Sequence, residues 1–145
     1  FMIPAGGSRT PRSDETQIPA VDVSGNVRTP EHIRMDGGGV LEFVKSRVPD
    51  QIYELLERNG LSLSDIDQFV FHQASKTALD TLARLLDVGS DRIYSNIEKI
   101  GNTVSASIPI ALRDAQDEGK IKSGDLVLLC GFGVGLSWGS ALVRV

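Results

Sequence analysis

The sequence predicts an α/β layered domain with a mixed sheet, and three features of the pattern support this fold class. Amphipathic helical stretches alternate with short β-type runs over most of the chain, as in layered α/β domains. The apolar run Leu126–Phe132 is continuous, which is typical of a strand buried on both faces. Because the glycine-containing turn 133–135 is too short for a crossover, the last two strands should be antiparallel.

The first third of the chain is the least regular. Prolines and glycines recur through residues 4–39, and polar residues fill the gaps. We therefore expect surface loops with short extended pieces at Ala20–Val23 and His32–Met35. So long an irregular stretch is unusual inside a compact domain, and it would suit a segment that wraps over a partner domain.

A long helix is predicted from Val40. Apolar residues between Val40 and Leu56 recur at a period near 3.6 and fall mostly on one stripe. Pro49 lies inside this run, where it removes a backbone hydrogen bond and disfavours helical geometry at Val48. We therefore expect either a kink or two abutting helices there. Gly60 is a suitable C-terminal cap.

Turn and cap residues delimit the elements of the second half. Ser75 is a suitable N-cap, and Gly119 is suited to end a helix. A turn at Ile100–Thr103 precedes the last helix. In chain order, the predicted elements are strand Gln68–His72, helix Ser75–Leu86, short strand Arg92–Ser95, helix Val104–Glu118, strand Leu126–Phe132 and strand Ser137–Val145.

Composition and charge restrict the functional classes. The 145 residues, of which 41% are hydrophobic, have the size and composition of one folded domain. The net charge of −4 argues against nucleic acid as a partner, because phosphate binding needs a basic surface. No apolar run approaches the ~20 residues that span a bilayer. The single cysteine excludes an internal disulfide and favours a cytoplasmic location, while the start at Phe1 suggests a piece of a longer protein.

Two segments have residues suited to chemistry. His72 ends a predicted strand just before a helix, and ligand sites of open α/β sheets lie beyond the carboxyl ends of the strands. A neutral imidazole there can donate one N–H and accept at its other nitrogen, although a strand-end histidine often binds only backbone. Asn102 precedes a helix whose first turn holds small residues, which allow a ligand to approach closely. The commonest use of asparagine at such a position is a plain N-cap.

A glycine-rich segment and the cysteine complete the candidates. The glycines at 131, 133 and 135 do not fit a dinucleotide-binding loop, because a strand rather than a helix should follow them. A tight turn with exposed backbone N–H groups fits better, and such groups can stabilise an oxyanion. Cys130 has no basic neighbour in its apolar run, so we interpret it as a buried small hydrophobic residue. No metal site is expected, since His32 and His72 are far apart in sequence and no cysteines are paired.

Three ordered motifs resemble those of 3-oxoacyl-(acyl-carrier-protein) synthase III enzymes. His72-Gln73-Ala74-Ser75 is similar to the family's His-Gln-Ala-Asn. The segment 101–109 (GNTVSASIP) is similar to its Gly-Asn-Thr-Ser-Ala-Ala-Ser-Val-Pro, and the segment 132–144 (FGVGLSWGSALVR) to its Phe-Gly-Gly-Gly-Phe-Thr-Trp-Gly-Ser-Ala-Leu-Val-Arg. Thirty positions separate His72 from Asn102, and thirty separate Asn102 from Phe132, which also matches the family.

The resemblance implies a thiolase-like layered α/β/α domain with a mixed central sheet, the C-terminal half of a duplicated fold. The similarity begins at about Ile33, which divides the chain into an irregular N-terminal segment or linker (1–32) and a C-terminal synthase III domain (33–145). The family's nucleophilic cysteine lies on the N-terminal half, so we expect the present chain to be inactive alone. The resemblance also implies a homodimer of the full-length protein, formed through the N-terminal halves.

The implied reaction is a decarboxylative Claisen condensation. An acyl group from acyl-CoA is loaded onto the cysteine, and a malonyl thioester of acyl carrier protein then loses CO2 to give the attacking enolate. By motif, His72 and Asn102 donate hydrogen bonds to the malonyl thioester oxygen. The N–H of Val134 serves an oxyanion hole for the acyl-cysteine carbonyl, and Phe132 lies near the malonyl group. No cofactor is implied beyond the phosphopantetheine arms of the two substrates.

Several positions concern the substrate arm, and three depart from the family pattern. Ser75 replaces an Asn that contacts the pantetheine arm or active-site water, and Gln73 and Lys76 fall where carrier or CoA docking is expected. Thr77 stands where a carrier-docking Arg is often found. Val134 replaces a Gly, and β-branched residues resist unusual backbone angles. These departures leave the acyl substrate, the carrier and the pathway open.

Two other functions remain open at this stage. One is a thiolase-fold acyltransferase that makes esters, in which His72 would act as a general base. The other is a scaffolding domain that retains the motifs without catalysis. A cysteine on the nucleophile turn of the missing N-terminal half would favour catalysis, and its absence would favour scaffolding.

Overall fold

The computed structural model describes the whole chain, Phe1–Val145, which divides into two compact units. The first unit is Phe1–Gly38 and the second is Gly39–Val145, so the division falls after residue 38, against the expected division after residue 32. None of the helices is both long enough and apolar enough to cross a membrane.

The first unit contains a small antiparallel hairpin. Strand β1 (Ala20–Val21) pairs with strand β2 (Val27–Arg28). Asp22 fixes the turn, since its Oδ1 accepts the N–H groups of Ser24 and Asn26, both at 2.9 Å. The predicted extended piece at 20–23 is therefore confirmed in its first two residues, whereas β2 was not predicted.

The second extended piece, predicted at His32–Met35, is shorter than expected. It reduces to one isolated bridge between Arg34 and Met2. A single 3-10 turn, Glu15–Gln17, adds the only other regular structure before the long helix.

Helix α1 (Gly37–Arg58) is one continuous helix that contains Pro49. It begins three residues before the predicted Val40, and the alternative of two abutting helices is wrong. The apolar stripe supplies the reason, because residues on both sides of the proline, such as Val48 and Ile52, are 0% exposed. Their burial outweighs the one hydrogen bond that proline removes. Gly60 ends the helix as predicted, with a left-handed φ of +65°.

The second unit is built around a three-stranded mixed sheet in the order β3-β4-β5. Strand β3 (Gln68–Phe71) runs parallel to β4 (Leu126–Gly133), and β5 (Ser137–Arg144) runs antiparallel to β4. The predicted mixed sheet and the antiparallel last pair are thus confirmed. Helices α2 (Lys76–Leu86), α3 (Ile97–Ile100) and α4 (Ser107–Asp117) complete the unit.

Two apolar clusters show that helices cover both faces of the sheet. Phe69 and Phe71 of β3 belong to one cluster, together with buried residues of α1 and α2. Val70 points to the other, where it joins Ala111 and Ala115 of α4. Phe69, Val70 and Phe71 are all 0% exposed, which explains why apolar and polar residues do not alternate along this part of the strand. The layered α/β/α arrangement is confirmed.

The segment between α2 and α4 differs from the prediction. The expected strand Arg92–Ser95 is wrong: Ser90–Arg92 form a 3-10 turn, and only Ile93 makes a bridge, to Phe69. Helix α3 is not among the predicted elements, and only its last residue, Ile100, falls in the predicted turn Ile100–Thr103. The expected helix Val104–Glu118 starts as a separate 3-10 turn, Val104–Ala106, before α4 begins at Ser107.

Candidate functional site

The carboxyl edge of the parallel strand pair brings His72 and Phe132 together. His72 follows β3 directly, and its backbone N–H donates to the Cys130 carbonyl at 2.8 Å. Because β3 and β4 are parallel, with Phe71 opposite Cys130, both strands approach the same edge of the sheet. The rings of His72 and Phe132 meet edge to face, with centroids 5.6 Å apart. Two of the predicted site residues therefore share one edge of the sheet.

The imidazole of His72 is partly buried and is held through its Nδ1 atom. Nδ1 lies 2.6 Å from the hydroxyl of Ser107, the first residue of α4. Burial lowers the pKa of His72 below its ordinary value of 6.5. The ring is therefore neutral at physiological pH, with one nitrogen protonated and the other an acceptor.

The lowered pKa of His72 predicts a pH dependence of stability. Below pH 6.5 the unfolded chain binds a proton at this residue more readily than the folded chain does. The contribution of His72 is therefore fully present above 6.5 and is lost as the pH falls through that value toward the folded pKa. We expect the free energy of unfolding to fall more steeply below pH 6.5 in the wild type than in His72→Gln, by denaturant titration at a series of pH values. Parallel curves for the two proteins would contradict the shift.

The side chain of Asn102 is held in one orientation by two hydrogen bonds. Its Nδ2 donates to the Ala74 carbonyl at 3.2 Å, and its Oδ1 accepts the N–H of Val104 at 2.9 Å. The Ala74 contact places the amide two residues along the chain from His72. Asn102 is not the N-cap of α4, which begins five residues later, so the plain N-cap interpretation is wrong. One Nδ2 hydrogen has no partner within the chain and is available to a ligand.

Backbone strain is localised beside Asn102. Val104 has φ +54° and is 69% exposed. A β-branched residue seldom adopts this left-handed conformation, so the surroundings must hold it there. The N–H of Val104 binds Asn102 Oδ1, and its carbonyl accepts the Ser107 hydroxyl at 2.9 Å. The strained peptide thus connects Asn102 with the group that contacts His72.

The turn between β4 and β5 carries the predicted oxyanion-hole residue. Val134 lies two residues beyond Phe132 and is 60% exposed. The flanking residues Gly133 and Gly135 have φ values of +154° and +144°, whereas Val134 is not among the non-glycine residues with positive φ. The glycines therefore provide the unusual angles, and a β-branched residue fits between them. The function of the Val134 N–H remains a prediction.

Ser75 has a structural function in this chain. Its hydroxyl accepts the N–H of Ala78 at 3.1 Å and so caps the N-terminus of α2, as the sequence predicts. The side chain is also exposed, and contact with a substrate arm remains a prediction.

We expect Ser75→Ala to lower the free energy of unfolding by about 1 kcal/mol, because the cap hydrogen bond is lost. The matched variant is Ser75→Asn, which restores the residue of the family motif and is an equally good N-cap. It should keep nearly all of the stability in a denaturant titration. An equal loss in both variants would show that capping is not the function of this hydroxyl.

The two docking candidates differ in accessibility. Gln73 is 1% exposed; its Nε2 donates to the Phe71 carbonyl at 2.9 Å, and its Oε1 accepts the N–H of Asn96 at 3.3 Å. A side chain so enclosed does not reach a docking partner, so we assign Gln73 to holding the loop before α3. The side chain of Lys76 is 68% exposed and lies 3.7 Å from Glu98 and 4.0 Å from Asp80. Such exposed pairs are weak, and the ammonium group stays accessible.

Cys130 does not have the environment of a nucleophile. It is 0% exposed within β4, and burial raises the pKa of its thiol to about 11. A thiol at that pKa carries almost no thiolate at neutral pH. The interpretation of Cys130 as a buried small hydrophobic residue is confirmed.

The sequence prediction does not include Ser107, although this residue contacts His72 directly. It is 2% exposed and lies 35 positions from His72 along the chain. Nothing local distinguishes it from Ser105, which is exposed and two positions away. Only the packing of α4 against the sheet reveals the contact.

Comparison with known proteins gives a consistent result. The family described as 3-oxoacyl-[acyl-carrier-protein (ACP)] synthase III C terminal matches residues 56–145. Beta-ketoacyl-[acyl-carrier-protein] synthase III of Rhodopirellula baltica is 39% identical and that of Clostridioides difficile 41% identical, each over 144 residues and 99% of this chain. A crystal structure of a 3-oxoacyl-(acyl-carrier-protein) synthase III superimposes with a TM-score of 0.93 at 38% identity, covering 99% of this chain and 43% of that one.

The extent of these matches corrects one expectation and adds one fact. Similarity covers 144 residues and so includes the N-terminal segment, rather than beginning near Ile33. The chain spans 39% and 41% of the length of the two relatives, which is about two fifths.

Proposed function

Because the chain belongs to the 3-oxoacyl-(acyl-carrier-protein) synthase III family, we propose that it is the C-terminal half of an enzyme that condenses an acyl group with malonyl-acyl carrier protein. An N-terminal half supplies the nucleophilic cysteine, and acyl-CoA supplies the acyl group. The reaction belongs to fatty-acid biosynthesis or to a related lipid or specialised pathway in the cytoplasm. The observation that carries the proposal is the presence of His72 and a fixed Asn102 amide at one edge of the sheet.

The condensation creates negative charge at a defined atom. Loss of CO2 from the malonyl thioester leaves an electron pair that is delocalised onto the thioester oxygen as an enolate. The enolate carbon then attacks the carbonyl of the acyl-cysteine, the C–S bond breaks and the cysteine thiolate leaves. Hydrogen-bond donors fixed around the enolate oxygen lower the barrier to the first step.

Asn102 is suited to this task because its amide cannot ionise and its orientation is fixed. The carbonyl end is occupied by the Val104 N–H, so the NH2 end faces away from that bond. One N–H remains for the enolate oxygen after the bond to Ala74. His72 supplies the second donor when its Nε2 carries a proton.

Two further residues complete the proposed assignments. The N–H of Val134 serves the oxyanion that forms on the acyl-cysteine carbonyl. The ring of Phe132 is 6% exposed and contacts the His72 ring. It offers an apolar surface that disfavours the charged malonyl carboxylate but tolerates the neutral product CO2.

The partners follow from the same proposal. Leu136 and Trp138 of the β4–β5 region are 51% and 44% exposed. We expect an N-terminal half to cover these large apolar residues in the full-length protein. Lys76 is the residue we assign to contact with acyl carrier protein, whose surface is acidic. The full-length protein is proposed to be a homodimer.

Product analysis tests the proposed function. The chain is assayed alone and joined to a cysteine-bearing N-terminal half, with radiolabelled acyl-CoA and malonyl-acyl carrier protein. The chain alone should take up no acyl label, and the joined protein should release CO2 and a 3-oxoacyl carrier in equal amounts. Label uptake without CO2 release, or release of an ester when an alcohol is offered, would contradict the condensing function and favour an ester-forming acyltransferase. Absence of any acyl uptake by the joined protein would favour a scaffolding domain.

A further inference from the structure

The hydroxyl of Ser107 lies between three groups that compete for it. It is 3.3 Å from the backbone nitrogen of Gln73, 2.9 Å from the carbonyl oxygen of Val104 and 2.6 Å from Nδ1 of His72. Ser107 is 2% exposed, so the hydroxyl must satisfy its hydrogen bonds within the chain.

The donor and acceptor of each contact can be assigned by counting. A serine hydroxyl has one hydrogen and two acceptor lone pairs. A carbonyl only accepts, so the hydrogen belongs to the bond with Val104. The Gln73 N–H only donates and occupies one lone pair. The second lone pair faces Nδ1 of His72, and a contact of 2.6 Å between two unprotonated acceptors would be repulsive. While the hydroxyl hydrogen is donated to the Val104 carbonyl, Nδ1 is therefore the atom that carries the proton.

We propose that Ser107 is a positioning residue that holds resting His72 as the tautomer protonated at Nδ1, with Nε2 as an acceptor. Neutral imidazole carries a single N–H, so Nε2 cannot donate in this state. The doubly protonated ring would donate to Ser107 from Nδ1 and could also donate from Nε2. This charged form is disfavoured because burial lowers the pKa of His72.

A consequence rests on the proposed function, which needs a donor at Nε2. To become that donor, His72 must release the Nδ1 proton to solvent and take one at Nε2, with no change of charge. The Ser107 hydroxyl must then rotate its hydrogen from the Val104 carbonyl to Nδ1. The proton exchange and the hydroxyl rotation together convert His72 from a base, suited to accept a proton at Nε2, into a donor suited to an enolate oxygen.

The chain contains an internal reference for this assignment. It has two histidines, and in His32 the Nδ1 atom accepts a hydrogen bond instead of donating one. Its Nδ1 accepts the backbone N–H of Thr29 at 3.2 Å, so neutral His32 carries its proton at Nε2. The two residues are therefore expected to be opposite tautomers in one spectrum.

Nitrogen-15 NMR of the labelled ring nitrogens tests the proposal at a pH well above 6.5, where the ring of His72 is neutral. The His32→Gln variant assigns the two sets of signals. His72 should show a protonated Nδ1 and an unprotonated Nε2, favoured about tenfold over the other tautomer, the ratio expected for one hydrogen bond. A protonated Nε2 in resting His72 would overturn the proposal. That outcome leaves the donor function of His72 in condensation intact, so the two failures are distinguishable.

Variants separate tautomer control from a merely structural contribution. Ser107→Ala removes the acceptor for Nδ1–H, so the preference should fall from about tenfold to near parity or reverse. Ser107→Thr keeps the hydroxyl and should restore the wild-type spectrum. Ser105→Ala, which changes an exposed serine two positions away, should leave it unchanged. A wild-type spectrum in Ser107→Ala would overturn the proposal, whatever its effect on stability.

Discussion

Alanine substitution of His72 or Asn102 is expected to abolish decarboxylation of the malonyl thioester while the cysteine is still acylated. Each variant removes one of the two donors proposed for the enolate oxygen, and removal of one such donor typically lowers the rate by about 10²–10³-fold. In the proposed mechanism acylation uses the cysteine and the Val134 N–H instead, so its rate should change little. Release of labelled CO2 and covalent acyl uptake, measured on the protein joined to its cysteine-bearing half, report the two steps separately.

Near-isosteric variants make this prediction sharper. Asn102→Asp keeps the shape of the side chain and the acceptor for the Val104 N–H, but a carboxylate cannot donate and repels the enolate. It should be at least as inactive as Asn102→Ala. Asn59→Ala is the matched control, since Asn59 donates only to the end of α1, at the Leu55 carbonyl. Undiminished decarboxylation in His72→Ala and Asn102→Ala would refute the assignment of both donors.

Residues whose structure depends on near neighbours were predictable from the sequence. Strand β4 begins at the predicted Leu126 and extends one residue beyond Phe132. Ser75 caps α2 as expected, and Gly60 ends α1. In each case the signal is local: a run of apolar residues, a hydroxyl before a helix, or a glycine after one. Strand β4 and the cap of α2 also position His72, which lies between α2 and β3, the parallel partner of β4.

The differences arise where distant parts of the chain decide the outcome. The segment at Ile93 has the residues of a strand, but only one bridge forms, and the 3-10 turn Ser90–Arg92 ends directly before it. The guanidinium group of Arg92 holds this turn against the Leu63 and Ile66 carbonyls. Gln73 looks exposed in sequence, yet it is enclosed by backbone groups from residues 71 and 94–96. These contacts depend on packing and leave no mark in the local pattern.

The site shows the same limit. Motif similarity identified His72 and Asn102 as candidates, but no sequence pattern indicates the strain at Val104 or the Ser107 contact. Val104 has a residue type that opposes its φ of +54°. A local rule that fails beside a candidate catalytic residue is characteristic of functional sites, where strain is held by the surrounding structure.

The largest effect on stability is expected from Leu82→Ala in α2. Leu82 is 0% exposed within the cluster shared by α1, α2 and the sheet. Truncation removes its buried methyl groups and leaves a cavity, which should lower the free energy of unfolding by about 2–5 kcal/mol. Leu85→Ala is the matched control: the residue type and helix are the same, but Leu85 is 45% exposed. Its loss should stay within about 0.5 kcal/mol in urea titration, and equal losses in the two variants would contradict the packing.

This pair also separates folding from chemistry. Helix α2 begins four residues after His72, so a truncation in its buried face tests whether loss of packing also disturbs the site. If the folded state of Leu82→Ala keeps its structure, decarboxylation per folded molecule should be unchanged although stability falls. His72→Ala and Asn102→Ala should lose decarboxylation while stability falls less than in Leu82→Ala, because neither variant removes a fully buried apolar side chain. Loss of both properties in Leu82→Ala under strongly stabilising conditions would mean that α2 positions the catalytic edge as well as supporting the core.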